Sequence, residues 1–234
     1  MSAAAAMMTA MSPIRALAFD AYGTLFDVFS VTSLCEQLFP GNGTVLAQLW
    51  RAKQLQYSWL RSVMGRHKSF WQLTEDGLVY ATKALKLDLP PGLRTQLLNA
   101  YLTLAPFPDV VPGLVALKQG ALKLAILSNG TPRMLHAAVT NAGIADLLDA
   151  VISVEEARVF KPSPRVYWLA AEALKEDACD IGFVSANSWD VNGAGSAGLT
   201  TFWIQRTATE PQEELGYPAT ATIRTLTEVP ALVL

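Results

Sequence analysis

Asp20 closes the apolar run Ala16-Leu17-Ala18-Phe19, with Ile14 leading in, and is followed by Ala21-Tyr22-Gly23-Thr24-Leu25. Continuous hydrophobicity without alternation predicts a strand covered on both faces. A carboxylate at the carboxyl end of such a strand lies where open α/β sheets collect their chemistry. Gly23 lets the chain turn sharply just beyond it. Other apolar runs end in the same way. Leu122 to Leu127 stops at Ser128-Asn129-Gly130, and Ile181 to Val184 stops at Ser185-Ala186-Asn187-Ser188-Trp189-Asp190. The short run Val151-Ile152-Ser153 precedes Lys161-Pro162. A lysine, hydroxyls and an amide gathered around a carboxylate keep it ionised and aimed, because opposite charge and donated hydrogen bonds favour the charged form. That is the setting of an aspartate nucleophile. Taken singly, each residue also fits a turn, a helix cap or a solvated loop. Their recurrence at matched strand ends points to one site.

The elements that must position these residues alternate in period. From Asp109 onward, Val110 to Gln119 predicts a helix, and the strands named above alternate with helices opened by Thr131-Pro132 and Ser163-Pro164, each a cap followed by proline at the first helical position. Thr200 to Ile204 adds a further strand. Such alternation implies βαβ units and a parallel sheet. Between about Leu25 and Pro106 no strand signal occurs. Thr44 to Met64 carries Leu46, Trp50, Lys53, Tyr57, Leu60 and Met64 at three- and four-residue steps, and Gly65 ends it. Ser69 with Gln72 has capping-box spacing for a helix to about Leu85, and Pro90-Pro91 opens another. The expected architecture is α/β: a Rossmann-like doubly wound core of residues 14–25 and 106–234, interrupted by an all-helical cap of residues 26–105.

Composition limits the function. The chain has 234 residues, 51% hydrophobic and 16% charged, with a net charge of −2. That balance gives no long-range pull toward nucleic acid or an anionic membrane, and no apolar run approaches the roughly 20 residues of a spanning helix. Cys35 and Cys179 stand far apart without metal-ligand spacing, which favours two thiols in a reducing compartment. Residues 1–13 lack the basic start of a secretory signal and are expected to be a disordered extension of a cytoplasmic protein. Residues 26–105 carry eight Lys/Arg against five Asp/Glu, a mildly positive cap that suits a small anionic substrate. His67 and His136 match no motif position.

The four motifs Asp20-Ala21-Tyr22-Gly23-Thr24-Leu25, Ser128-Asn129-Gly130, Lys161-Pro162 and Ser185-Ala186-Asn187-Ser188-Trp189-Asp190 resemble those of the haloacid dehalogenase superfamily. The segment Trp50-Arg51-Ala52-Lys53-Gln54-Leu55-Gln56-Tyr57-Ser58-Trp59-Leu60-Arg61-Ser62 is similar to the helix that carries the active-site arginine of its L-2-haloacid dehalogenase branch. The resemblance spans residues 14–226 and implies hydrolytic dehalogenation of L-2-haloalkanoic acids through an ester on Asp20, without metal or other cofactor, by a homodimer. It implies catalytic parts for Asp20, Thr24, Arg51, Ser128, Asn129, Lys161, Tyr167, Ser185, Asn187 and Asp190. It implies substrate contacts for Ala21, Tyr22, Leu55, Phe70 and Trp189, together with Arg51, Ser128 and Asn129. Within it, Asp190 positions or activates the hydrolytic water. The alternative is a Mg²⁺-dependent phosphatase of the same superfamily. Against that alternative, Tyr22 stands where such phosphatases carry a second aspartate, and Ser185 and Asn187 stand where an acid helps to hold the metal.

Overall fold

A computed structural model describes residues 13–207 and 211–234. The expectation for the N-terminal extension therefore lies, Pro13 apart, outside the described residues. In chain order the elements are β1 (Ala16–Phe19), α1 (Phe29–Leu38), α2 (Gly43–Val63), α3 (Phe70–Ala84), α4 (Pro91–Ala100), α5 (Val110–Gln119), β2 (Lys123–Ser128), α6 (Pro132–Ala142), β3 (Ala150–Ser153), α7 (Pro164–Leu174), β4 (Ile181–Ser185), α8 (Ser188–Ser196), β5 (Thr200–Ile204), β6 (Ala221–Ile223) and α9 (Pro230–Val233).

The strands form one parallel sheet in the order β3-β2-β1-β4-β5-β6. β1 is central, with Phe19 opposite Ile126 on one side and Val184 on the other. All four of its residues are buried, as a strand covered on both faces requires. The chain moves outward from β1 to β2 and β3, then crosses back to β4 on the other side. That reversal is the switch point beyond whose strand ends ligands bind.

The chain leaves the sheet after Leu25 and returns at Pro106, where Phe26 and Pro106 bridge antiparallel. Between them the described residues form α1 to α4 and no strand. α2 and α3 are held by Trp50 Nε1, which donates to the Thr74 carbonyl at 2.7 Å. Thr131 caps α6 by accepting from Met134 N, and Pro91 stands in the first turn of α4.

Some local expectations need correction. Ser163 makes no side-chain cap to α7; Pro164 alone sets that start. Ser69 does accept from Gln72 N, but the Gln72 amide turns to Asp76 at 3.0 Å, so half of the reciprocal cap forms. Neither α1 nor β6 is expected from the pattern. α1 is started by Asp27, whose carboxylate accepts from Phe29 N at 2.7 Å. β6 is a three-residue edge strand, Ala-Thr-Ile, with no apolar run to announce it. Cys35 is buried, Cys179 exposed, and both are free thiols. Among the described residues no helix is long and apolar enough to cross a membrane.

Candidate active site

The residues at the carboxyl ends of β1, β2 and β4 meet around Asp20. Its backbone N–H continues the ladder to the Val184 carbonyl at 2.9 Å, so the side chain emerges just past the sheet edge. Gly23, at φ +88°, turns the chain. The Ala21 carbonyl accepts from the N–H groups of Leu25 and Phe26 at 2.9 and 3.0 Å. That tight loop returns Thr24 to Asp20.

The two oxygens of Asp20 are held differently. Oδ2 accepts from Thr24 Oγ1 at 3.1 Å and from Asn187 Nδ2 at 3.0 Å. Oδ1 accepts from Lys161 Nζ at 3.1 Å. Thr24 Oγ1 in turn accepts from Ala186 N at 2.8 Å, which leaves its proton to Asp20. Behind the loop, Arg206 donates to the Thr24 carbonyl at 2.7 Å and grips Asp109 with both contacts at 2.8 Å. A carboxylate so fixed has lost its rotamer freedom before any substrate arrives.

Lys161 is 1% exposed and also donates to Asp190 Oδ2 at 2.8 Å. Its backbone N–H donates to Asn129 Oδ1 at 3.1 Å, which ties the end of β2 to the lysine. Asp190 is fully buried, and Ser185 Oγ and Tyr167 Oη donate to it at 3.0 and 2.7 Å. Gly193 permits this, since any side chain there would run into the Tyr167 hydroxyl. Ser128 Oγ accepts from Gly130 N at 3.2 Å.

The electrostatics follow from burial and pairing. Burial alone would lower the pKa of Lys161, but Asp190 and Asp20 more than offset it, and the pKa is raised. Burial and then Asp190 push Tyr167 well above its usual range, so it donates as a phenol. Asp190 is raised, with burial the main cause, Lys161 opposing and Asp20 adding. The expected pH profile of kcat therefore has no alkaline limb below about pH 10, and an acid limb above the ordinary aspartate value of about 3.9. The sign for stability agrees. A lysine whose folded pKa exceeds its unfolded value contributes fully below about pH 10.5 and loses that contribution as pH rises through the folded value. Turnover measured across the pH range checks both limbs, and an alkaline loss centred near pH 8 would remove Lys161 from this role.

The other expected residues lie toward the helical insertion. Tyr22 is 3% exposed; its hydroxyl lies against Gly130 and has no hydrogen-bond partner among the described residues. Burial chiefly raises its pKa, Tyr101 and Asp20 add to this, and Arg51 opposes it. The Tyr22 hydroxyl thus feels both Asp20 and Arg51. Phe70, at the start of α3, is buried and stacks toward Tyr22 with ring centroids 6.5 Å apart. Arg51, on α2, is half-buried and donates to Gln54 Oε1 at 2.6 Å. Leu55, one turn beyond Arg51, is half-buried. Trp189 packs edge-on against Trp59 at 5.4 Å.

One correction concerns the network. Ser185 does not face Asp20; its hydroxyl serves Asp190 and accepts from Asn187 N at 3.1 Å. Asp190 shares Lys161 with Asp20 and is linked to it a second time through Ser185 and Asn187. Sequence reasoning also overlooked Gln54 and Arg206. Gln54 is fully buried and links Arg51 to Thr74, whose hydroxyl accepts from Gln54 Nε2 at 2.6 Å. Its position three residues after Arg51 on a helix is the signal that would have found it. Arg206 follows the end of β5 and carries no local signal. Among the described residues no group of three or more His, Cys, Asp or Glu is placed to hold a metal ion.

The profile of the haloacid dehalogenase-like hydrolases matches residues 14–198. An (S)-2-haloacid dehalogenase of Pseudomonas sp. (strain YL) is 50% identical over 206 residues, 88% of each chain. The (S)-2-haloacid dehalogenase of Xanthobacter autotrophicus is 46% identical, over 94% of this chain and 85% of its own. A solved structure of the L-2-haloacid dehalogenase from Xanthobacter autotrophicus with chloropropionic acid covalently bound superposes with a TM-score of 0.87 at 40% identity, covering 94% of this chain and 98% of that one. The chain belongs to the haloacid dehalogenase-like hydrolase family, in the branch of the (S)-2-haloacid dehalogenases.

Proposed function

We propose that this protein hydrolyses L-2-haloalkanoic acids to D-2-hydroxy acids through a covalent ester on Asp20. The observation that carries this reading is the fixing of Asp20: one oxygen is held by Thr24 and Asn187, and the other by the buried Lys161. In the first step Asp20 attacks the α-carbon in line with the carbon–halogen bond. A carbon–oxygen bond forms, the halide leaves with its electron pair, and the configuration inverts. In the second step water attacks the Asp20 carbonyl carbon. The acyl–oxygen bond breaks, the 2-hydroxy acid leaves, and one proton is released. Splitting one displacement into two easier steps is the logic of covalent catalysis. Halide needs no proton to leave, so Tyr22 can stand where a phosphatase needs an acid.

The remaining residues supply what those steps require. Ser128, Asn129 and the N–H groups leading into α6 receive the substrate carboxylate at a helix N-terminus. Arg51, with Asn129 and Trp189, cradles the halide. Ala21, Tyr22, Leu55, Phe70 and Trp189 surround the α-carbon substituent and exclude water. Esterification removes the charge of Asp20 and leaves Lys161 paired with Asp190 alone. Asp190 then draws the proton of the attacking water, with Ser185, Asn187 and Tyr167 holding the geometry. No metal is needed, because the Lys161 ammonium already bridges the two carboxylates that a cation would seek. We assign the protein to the cytoplasm, which suits its two free thiols. We also read it as a homodimer, for which the exposed Trp59, Leu60, Val63 and Met64 of α2 and the residue after it offer apolar surface.

The test is halide release from L- and D-2-chloropropionate, each with EDTA and with Mg²⁺, beside hydrolysis of an aryl phosphate. Release from the L isomer alone, indifferent to EDTA, is the expected result. Mg²⁺-dependent phosphate release without halide would sink the reading.

A further inference from the structure

The loop after β3 joins the helical insertion to the sheet through one carboxylate. Glu155 Oε1 accepts from Phe70 N, the first amide of α3, at 3.0 Å. Glu155 Oε2 lies 3.7 Å from His67 Nε2, and the His67 ring stacks on Phe160 at 5.2 Å. The first amides of a helix have no partner within it. Here Ser69 satisfies Gln72 N, while Phe70 N is satisfied from across the site. A carboxylate at a helix N-terminus is also favoured by the helix dipole. On its other side, Glu155 N donates to Ser153 Oγ at 3.3 Å, and that hydroxyl donates to the Gly130 carbonyl at 2.7 Å. A second tie runs parallel, from Phe160 N to Ser62 Oγ of α2 at 3.0 Å.

We propose that Glu155 is a positioning residue that clamps the first turn of α3 to the Asn129–Gly130 turn, so that Phe70 is held against Tyr22 in register with the donors for the substrate carboxylate. Glu155 touches neither substrate nor reacting atoms. Its effect passes through Phe70, whose ring covers Tyr22, and through Ser153, which fixes the Gly130 carbonyl. Loosening it lowers the fraction of molecules in the closed, binding-competent arrangement. Apparent affinity falls by that fraction, while the chemistry of the filled site is unaltered.

The inference rests on the dehalogenase reading, and its test separates the two. In Glu155→Ala, KM for L-2-chloropropionate is expected to rise by roughly tenfold with kcat within about twofold. Glu155→Gln keeps an acceptor for Phe70 N and is expected to stay within about twofold of the parent KM. An unchanged KM in Glu155→Ala, or a fall in kcat alone, overturns the clamp. Amide exchange at Phe70 gives a readout independent of turnover, and it is expected to quicken about tenfold or more in Glu155→Ala. Unaltered exchange there overturns the clamp as well. Quickened exchange in a protein that releases no halide from any haloacid would keep the clamp and sink the dehalogenase reading.

Discussion

Asp20→Ala gives a folded protein that releases no measurable halide, a loss on the order of 10⁴-fold or more, as expected when a nucleophile is removed. The fold survives because the loss strands little. Lys161 keeps its 2.8 Å contact with Asp190, and Thr24 Oγ1 keeps the amide of Ala186. Lys161 Nζ loses one of its two acceptors, and Asn187 Nδ2 and the Thr24 hydroxyl proton lose theirs, at a cost of about 1–3 kcal/mol for each group left unsatisfied. A thermal melt by circular dichroism beside the halide assay separates the two outcomes. The covalent route adds an isotopic signature. In each turnover the hydroxyl of the product comes from Asp20, and water refills the carboxylate. Turnover in ¹⁸O-water must therefore label Asp20, and mass spectrometry of the peptide reads it. Halide release by a well-folded Asp20→Ala protein, or an unlabelled Asp20, would replace the nucleophile with direct attack by water.

How far the chain discloses this site depends on how local each signal is. Asp20, Ser128, Asn129 and Asn187 are legible as strand-end residues because the buried strands β1, β2 and β4 announce themselves by continuous apolar residues, and parallel pairing brings their ends together. Thr131 and Pro91 declare helix starts through backbone chemistry that needs no partner elsewhere. The misses share a cause. Ser163 looks like a cap, yet the turn before α7 is set by Pro164. Gln72 has the spacing to reach back to Ser69 but finds Asp76 on its own helix face. β6 exists because its inner neighbour β5 offers Ile204 to Ile223, and three residues contain no period. Arg206 and Glu155 work through residues distant in sequence, Thr24 and Phe70. Contacts of that kind come into view only when the chain is folded.

Lys161 carries the second large expectation, and the physics there is of paired charge. Substituting methionine leaves the carboxylates of Asp20 and Asp190 buried together with no counter-charge, and removing one partner of a buried pair costs about 3–5 kcal/mol. Like charges that share a site raise each other's pKa, so Asp190, already raised, rises further without the lysine, and Asp20 Oδ1 loses the ammonium that aims it. Lys161→Met is therefore expected to lower kcat by about 10³-fold, to move the acid limb of the pH profile upward, and to melt earlier. Stability loss alone could imitate this, and a double variant separates the causes. Lys161→Met with Asp190→Asn removes both charges of the pair, so the melting temperature is expected to recover, as replacing both members of a buried pair is often neutral. Activity is not expected to recover, because Asp20 Oδ1 has lost the ammonium that held it and the water its base. A double variant that regained turnover along with stability would show that Lys161 serves only to neutralise Asp190. A single variant that lost less than about tenfold would place the lysine outside the chemistry altogether.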